Sequence, residues 1–296
     1  MAVDTLVPAI IHGLIIGGIY GGVALGLSLI FGVLRLTNFA HGSVIVVAAF
    51  AYYWIFMLFG IDPYIALPIV TALMFGLGYL LQATLLNKLL QRERSSVSDP
   101  ISALLLTVGL WVTLDNLALM VFGPNTRTIN TFISESNITL GSIVVQTPKV
   151  IAFIGSFVVA GGLVWLLNKT EIGRLIRSVS QNRDAASLCG VNVRRVYSIT
   201  FGLGCAVVSI SAAFLMQFYY VSPSMGAVFG IKSFLVVVLG GLGSVPGALL
   251  AGLIFGLVES VGGQFIAASS ASMLSFVLFI VVLLIRPNGL FGRFRV

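Results

Sequence analysis

Six stretches of this chain run for 25 residues or more without one charged side chain: 5–34, 36–61, 63–87, 196–231, 233–258 and 260–285. A helix spanning the hydrocarbon of a bilayer needs about 20 consecutive apolar residues. Each of these stretches meets that length, and 150–168 adds a shorter clean run. Over all 296 residues, 58% are apolar and 8% charged, where soluble domains carry roughly 25% charged residues. A water-soluble core cannot hide so much apolar surface, so the sequence describes an integral membrane protein. The runs lack the alternating polar and apolar period of barrel strands, which leaves an all-α, polytopic helical bundle. No charged stretch is longer than a loop, and a large soluble catalytic domain is excluded.

Candidate spans fall at 7–31, 38–59, 64–87, 101–122, 150–168, 197–220, a glycine-rich interrupted region 226–262, and 270–286, about eight in all. The connections orient them. Residues 88–99 carry Lys88, Arg92 and Arg94 against Glu93 and Asp99. Residues 169–195 carry Lys169, Arg174, Arg177, Arg183, Arg194 and Arg195 against Glu171 and Asp184, and the tail holds Arg286, Arg293 and Arg295 with no acid. All three belong in the cytoplasm by the positive-inside rule, and this accounts for the net charge of +7 without nucleic acid. The 124–149 connection, with Arg127, Glu135 and Lys149, reads as external. Eight crossings then put the basic tail on the wrong side; either 226–262 holds two short passes or an N-terminal segment is misassigned. Residues 5–34 read as a retained span, since Met1 to Asp4 lack a basic leader. Cys189 and Cys205 fall in a basic loop and an apolar run, as two free thiols. With no linker in sight, residues 1–296 form a single transmembrane domain.

Gly13, Gly17 and Gly21 lie four apart, as do Gly18, Gly22 and Gly26, and Gly252 repeats the spacing with Gly256. Such rows let helix backbones approach closely in lipid, either inside one bundle or against a partner chain. Two further stretches interrupt hydrophobic segments: Leu34–Gly42, which contains Asn38, His41 and Gly42, and Gly240–Gly247, which contains Gly241 and Gly243. Paired interruptions in the two halves of a chain point to an inverted repeat and a pathway near the midplane. The residue chemistry leaves His41 open between a structural cap of a broken helix and a contact for a polar solute. Asp115 is open between breaking a span, anchoring a contact to another helix and relaying protons. Lys232 and Arg35 are placed to snorkel to opposite surfaces, and Glu259 to sit at an interface.

The segment Gly173–Val193 is polar, helix-forming and ends at Gly190, a natural C-cap. As one short helix along the membrane surface it presents Arg177, Gln181, Asp184 and Ala185 on one side, with Ala185 and Ala186 small enough for another surface to pack closely. No Gly-x-x-x-x-Gly-Lys-[Ser/Thr] occurs in the chain, and neither does a nucleophile elbow or a metal-ligand cluster.

Four blocks together carry a resemblance: NFAHG at 38–42, GRxxR…QxxDAAxxxGVNV at 173–193, LGGLGSVPGALLAG at 239–252 and RPNGLFG at 286–292. In this order and spacing the chain resembles the permease subunits of ABC importers for branched-chain amino acids, and within them the shorter, LivH-type subunit. The resemblance implies docking of an ATPase on Arg174, Arg177, Gln181, Asp184, Ala185, Ala186 and Gly190. It also implies pathway positions at Asn38, His41, Gly42, Gly241 and Gly243. Implied partners are a homologous, LivM-type permease, two ATPase subunits that hydrolyse ATP outside this chain, and a periplasmic or extracellular solute-binding protein, in a bacterial cytoplasmic membrane. Family members often carry an acid after NFAHG, where this chain has Ser43. The same blocks recur in permeases for urea and short amides, so branched-chain or other neutral amino acids are the expected solutes and urea or amides the alternative. A proton-coupled carrier would need facing acids and bases within the spans, and a passive channel would need no ATPase.

Overall fold

The computed structural model describes residues 2–88, 100–129, 131, 133–134, 136–140, 143–266 and 268–292. Arg92, Glu93, Arg94, Asp99, Glu135, Arg293 and Arg295, which orient the chain in sequence, lie outside them. The described residues fold into α1 (Ala2–Leu34), α2 (His41–Phe59), α3 (Pro63–Leu81, prolonged by a π-helical turn at Gln82–Leu86) and α4 (Pro100–Phe122). A two-stranded hairpin, β1 (Asn137–Leu140) and β2 (Ile143–Gln146), follows, then α5 (Thr147–Lys169). Next come two short helices, α6 (Glu171–Gln181) and α7 (Arg183–Leu188), and the chain closes with α8 (Val193–Leu215), α9 (Met225–Gly240), α10 (Val245–Gly262) and α11 (Ala268–Ile285). The hairpin, with Asn137 opposite Gln146 and Ile138 opposite Val145, is the one departure from helix among the named elements.

Among the described residues seven helices are long and apolar enough to cross a membrane, and α9 and most of α11 form shorter apolar helices. The ends of α1, α5 and α9, the start of α10 and the tail after α11 meet around one cavity beside α6. At the other end of the bundle, Ser260 near the end of α10 donates to Ala9 O near the start of α1, at 2.7 Å. The chain therefore traverses the bundle nine times among the described residues, down α1, up α2 and so on to α11. The 226–262 region is two helices joined by Gly241–Ser244, as one of the two sequence alternatives required, and the odd count puts the tail at the same end as the basic α6–α7 segment.

An inverted repeat organises the nine. In the first half α1 is followed by a break and then α2, α3 and α4; in the second, α8 is followed by a break and then α9, α10 and α11. The packing exchanges partners across the halves: α10 lies along α1 as α3 lies along α8, and α9 meets α1 as α2 meets α8. The sequence pairs the interruption at 34–42 with that at 240–247; the fold pairs them differently. Leu34–Gly42 corresponds to the break at 216–224. The turn at Gly241–Pro246 corresponds to Gly60–Pro63, which uses the same chemistry. Gly60 (φ 65°) and Gly241 (φ 96°) end their helices, Asp62 and Ser244 cap the next ones, and a proline enters the first turn of each.

Both breaks return the chain to the interior of the bundle before the next helix starts. His41 Nε2 lies 3.1 Å from Val23 O, and Val23 is eleven residues before Leu34 on α1, about 16 Å along its axis. Gly42 abuts Gly226 and Gly230 of α9, with no room for a β-carbon on either side. Non-helical backbone at this depth is tolerated because protein covers it: Asn38, Ala40 and His41 are all buried, and Asn38 Oδ1 accepts the Ala40 N–H at 3.1 Å.

α1 is the axis of the fold, and its two glycine rows serve two sides. Gly17 and Gly21 touch the backbone of α10 at Gly252, Leu253 and Leu249, and Gly256 closes on Gly17. Gly18 and Gly22 receive Phe153 and Ser156 of α5, and Gly26 receives Gly204 and Val208 of α8. Both rows are therefore consumed within the bundle. Outward faces are apolar instead: Leu105, Val112 and Met120 on α4, Val158 and Trp165 on α5, and Leu284 on α11 are exposed. Such faces suit lipid, since acyl chains are as apolar as the side chains they meet.

Two charges inside the spans find each other. Lys232 Nζ donates to Glu259 at 2.7 and 3.0 Å and to Tyr20 Oη at 2.6 Å, and Ser272 Oγ donates to Glu259 at 2.8 Å. This corrects the sequence placement of Lys232 at one surface and Glu259 at another: the long apolar stem of Lys232 carries its ammonium across to α10, not out to water. Both side chains are mostly covered, at 16% and 19% exposed, so one buried pair stitches α9, α10, α1 and α11 together.

Two outcomes follow. Gly256→Leu drives a side chain into the backbone of α1, a clash exceeding the roughly 1–3 kcal/mol of ordinary overpacking. Size-exclusion of the detergent-extracted chain should show aggregate, while Gly161→Leu, which meets no atom within 4 Å, runs as wild type. Lys232→Met and Glu259→Gln should each lower the unfolding temperature, since orphaning one partner of a buried pair costs about 3–5 kcal/mol. The double Lys232→Met/Glu259→Met variant should recover most of the loss in the same melting assay; a double no better than the singles contradicts the pairing.

Candidate functional site

The basic segment between α5 and α8 is built from local capping. Thr170 Oγ1 accepts the Gly173 N–H at 3.1 Å and starts α6. Asn182 leaves the helical region (φ −151°, ψ 106°), and its side chain accepts from both Asp184 and Ala185 N–H at 3.0 Å, starting α7. Gly190, at φ 84°, follows the last turn of α7, and Val191 N–H returns to Ala186 O at 3.0 Å. The single helix expected over this stretch is thus two helices with a corner at Asn182. The reason is the asparagine itself, whose side chain satisfies the next helix's amides better than its backbone continues the first.

The corner separates residues that the sequence places on one side. α6 buries Gly173, Ile176 and Val179 against the bundle, and Gly173 lies so close to the end of α5 that a β-carbon would strike the carbonyls of Leu166 and Leu167. Arg177 turns toward the same side and donates to Asn168 Oδ1 at 2.9 Å, while Ala186 is buried under α7. Arg174, Gln181, Asp184, Ala185 and Gly190 face outward. Arg174 pairs with Glu171 at 3.2 Å and Arg183 with Asp184 at 3.7 Å, exposed contacts worth at most about 1 kcal/mol each. The segment therefore has an inner face fastened to α5, α8 and α1 and an outer face of small and charged side chains.

Inside the corner lies a cavity of about 800 Å³. Arg35, Asn168, Arg177, Ser180, Ser244 and Asn288 supply its polar lining, with Gln181 at its exposed edge, and residues such as Phe31, Val164, Leu242 and Phe291 its apolar walls. Arg35 is the one non-glycine residue with a left-handed backbone among those described (φ 53°), and its guanidinium donates to Ser180 O at 3.3 Å. Gly243 touches Gly32 across the cavity mouth, and Gly241 packs against Gly289 and Gly292 of the tail.

Of the five pathway positions, the structure brings Asn38, His41 and Gly42 together and sets Gly241 and Gly243 elsewhere. The first group sits at the depth of Val23 on α1, the second at that of Gly32, nine residues and about 13 Å lower. Asn38 and His41 are buried, and their side chains meet neighbouring backbone. Phe39, which sequence reasoning passed over, is the one residue of 38–42 that reaches the surface, 40% exposed and stacked on Phe234 of α9 at 6.2 Å. Its signal was an aromatic ring beside Asn38 at a helix break. Next to the break, Ser43 Oγ donates to Asp115 at 2.6 Å and Trp111 Nε1 donates to the same carboxylate at 2.6 Å. Asp115 thus anchors α4 to α2, one of the three roles its sequence position allows.

At the opposite end, Arg127 and Val221 exchange backbone hydrogen bonds at 2.8 and 2.7 Å, joining the 123–146 connection to the break before α9. The Arg127 guanidinium lies over Tyr53 and Trp54, 5.1 and 5.7 Å from the ring centres. Cys189 and Cys205 are both free thiols, the first exposed and the second buried.

Comparison with known proteins agrees with this architecture. The model of the family described as "Branched-chain amino acid transport system / permease component" matches residues 9–284. The high-affinity branched-chain amino acid transport system permease protein BraD of Pseudomonas aeruginosa is 26% identical over 292 residues, covering 96% of this chain and 95% of its own. The corresponding LivH of Escherichia coli K12 is 29% identical over 295 residues, covering 95% and 94%. A probable LivH of Methanocaldococcus jannaschii is 27% identical over 283 residues, covering 91% and 87%. No solved structure matches the chain. With two inverted halves of four helices each, α5 between them, and a match along nearly its whole length, this chain belongs to the family of branched-chain amino acid transport permeases, as a LivH-type multi-pass membrane protein.

Proposed function

We propose that the chain is one membrane subunit of an ATP-driven importer for branched-chain or other neutral amino acids in a bacterial cytoplasmic membrane. A second, LivM-type permease completes the translocation unit, two ATPase subunits dock on the α6–α7 segment, and a periplasmic or extracellular binding protein delivers the solute at the opposite end. This chain holds no nucleotide or other cofactor; ATP is hydrolysed by its partners. The solute class comes from the relatives, whose names specify branched-chain amino acids.

The two-faced α6–α7 segment carries the reading. A handle for a motor must be firmly joined to the helices it moves and yet open to the motor on its other side. Arg177, Ile176, Val179 and Ala186 provide the join; Arg174, Gln181, Asp184, Ala185 and Gly190 provide the open face. The hydrogen bond from Arg35 to Ser180 O fastens the segment to the end of α1, the helix around which both halves pack. Movement of the handle by closing ATPases thereby reaches α1, and through His41 and Gly42 it reaches the starts of α2 and α9. In this scheme Asn38, His41 and Gly42 hold the interruption that borders the path, Phe39 presents to it, and Gly241 and Gly243 shape the turn beside the handle. Coupling of this kind requires two states that both ATP and solute bias.

Ser43 bears on the choice between amino acids and urea or amides. An acid often follows NFAHG in the family, and here the Asp115 carboxylate of α4 stands against Ser43 Oγ. A carboxylate is thus present beside that position, contributed by another helix, which keeps an amino-acid solute the better supported one.

Reconstitution of the chain with its companion permease, ATPases and binding protein in proteoliposomes tests the whole. Uptake of labelled leucine should require ATP inside and be competed by isoleucine and valine but not by urea. Uptake that persists without ATP and collapses with the proton gradient makes the chain a carrier, and flux without ATPases makes it a channel. Ala185→Trp, a bulky change on an exposed position, should leave the unfolding temperature unchanged and lower solute-stimulated ATP hydrolysis about tenfold or more, the loss of one well-packed contact of about 1.4 kcal/mol.

A further inference from the structure

The cavity inside the corner of α6 takes no ligand in the scheme above, and its chemistry is specific. Arg35 and Arg177 both line it, no carboxylate does, and neither guanidinium has an acidic side chain within ion-pair reach among the described residues. Asn168 and Ser180 contribute further polar atoms, and Ser244 caps the first turn of α10 at the cavity wall, so the positive end of an 18-residue helix adds to the field. Phe31, Val164 and Leu242 make the remaining walls apolar. A basic floor beneath apolar walls at the rim of a helical bundle fits an acidic headgroup with its chains lying along protein. A soluble anion would gain nothing from the apolar part, and a zwitterionic headgroup would bring its own cation to two arginines.

We propose that this cavity binds the phosphate of an anionic phospholipid, which bridges Arg35 of the α1 terminus and Arg177 of α6 and so strengthens the join between the handle and the bundle. The binding itself follows from the cavity alone; its consequence for coupling rests on the function proposed above, and the two are measured separately.

Native mass spectrometry of the full-length, delipidated chain titrated with phosphatidylglycerol, phosphatidylcholine or inorganic phosphate measures the first. Phosphatidylglycerol should be retained and phosphatidylcholine lost under the same activation. Arg35→Gln and Arg177→Gln should each weaken retention roughly tenfold, the effect of one charge-assisted contact. Arg194→Gln/Arg195→Gln removes two exposed charges at the same end outside the cavity and should leave retention unchanged. Equal loss in that control, equal retention of phosphatidylcholine, or displacement of the lipid by millimolar phosphate would each overturn the assignment. Melting curves of every variant, run in the same detergent, separate a lost site from a lost fold. Solute-stimulated ATP hydrolysis in nanodiscs then tests the consequence: it should fall when phosphatidylglycerol is replaced by phosphatidylcholine, and the fall should vanish in Arg177→Gln. A transporter that fails to hydrolyse ATP in either lipid refutes the function and leaves the lipid site standing.

Discussion

In hydrocarbon the usual driving force for helix association is missing, because a neighbouring acyl chain is as apolar as a neighbouring leucine. What remains is contact distance, and the close approach of α1 to its neighbours supplies it. One glycine row opens α1 to the backbone of α10, the other to α5 and α8, so a single helix is gripped from both sides. Everything else is positioned relative to that axis. The His41 ring meets its Val23 carbonyl two-thirds of the way down, Tyr20 reaches from it to Lys232, and its last residue precedes the arginine that holds the basic segment.

The same medium explains the polar residues. The charges away from the helix ends are matched: Lys232 with Glu259, and Asp115 with Ser43 and Trp111. Both arrangements join a peripheral helix to an inner one, α11 through Ser272 and α4 through Asp115. The peripheral helices expose long apolar faces to lipid, so these polar contacts fix their rotation where apolar packing would leave them free to slide.

Helix existence and most helix ends could be read from the amino acids, because charge-free runs bounded by Asp62, Lys149 or Arg286 admit little else. Span boundaries shifted by a few residues where helices continue past the hydrocarbon, as α1 does to Leu34. The two-helix nature of 226–262 was visible in Gly241 to Pro246 but not resolved, since a glycine-rich stretch in lipid serves equally as a tight interface and as a turn. The pairing of interruptions was misread because the glycines of 240–247 mark a break as plainly as Leu34–Gly42 does, whereas the true counterpart, 216–224, holds three aromatic residues and no glycine. The partnership of Lys232 with Glu259 depends on which helices adjoin, and spacing along the chain does not encode that; the corner at Asn182 is local, an asparagine cap inside a stretch that otherwise reads as one helix. Of the site, the C-cap Gly190 was legible as chemistry; the caps at Thr170 and Asn182, the inward turn of Arg177 and the burial of Ala186 were not.

The position of α5 between the halves has a consequence for how such a chain comes to exist. A unit of four crossings begins and ends on the same side of a bilayer, so two copies joined end to end would insert in the same sense and could not face each other. The single additional crossing turns the second copy over. α5 is therefore an inverter as well as a packing element, and the basic segment that follows it keeps that inversion in place, since its arginines resist being drawn through the membrane.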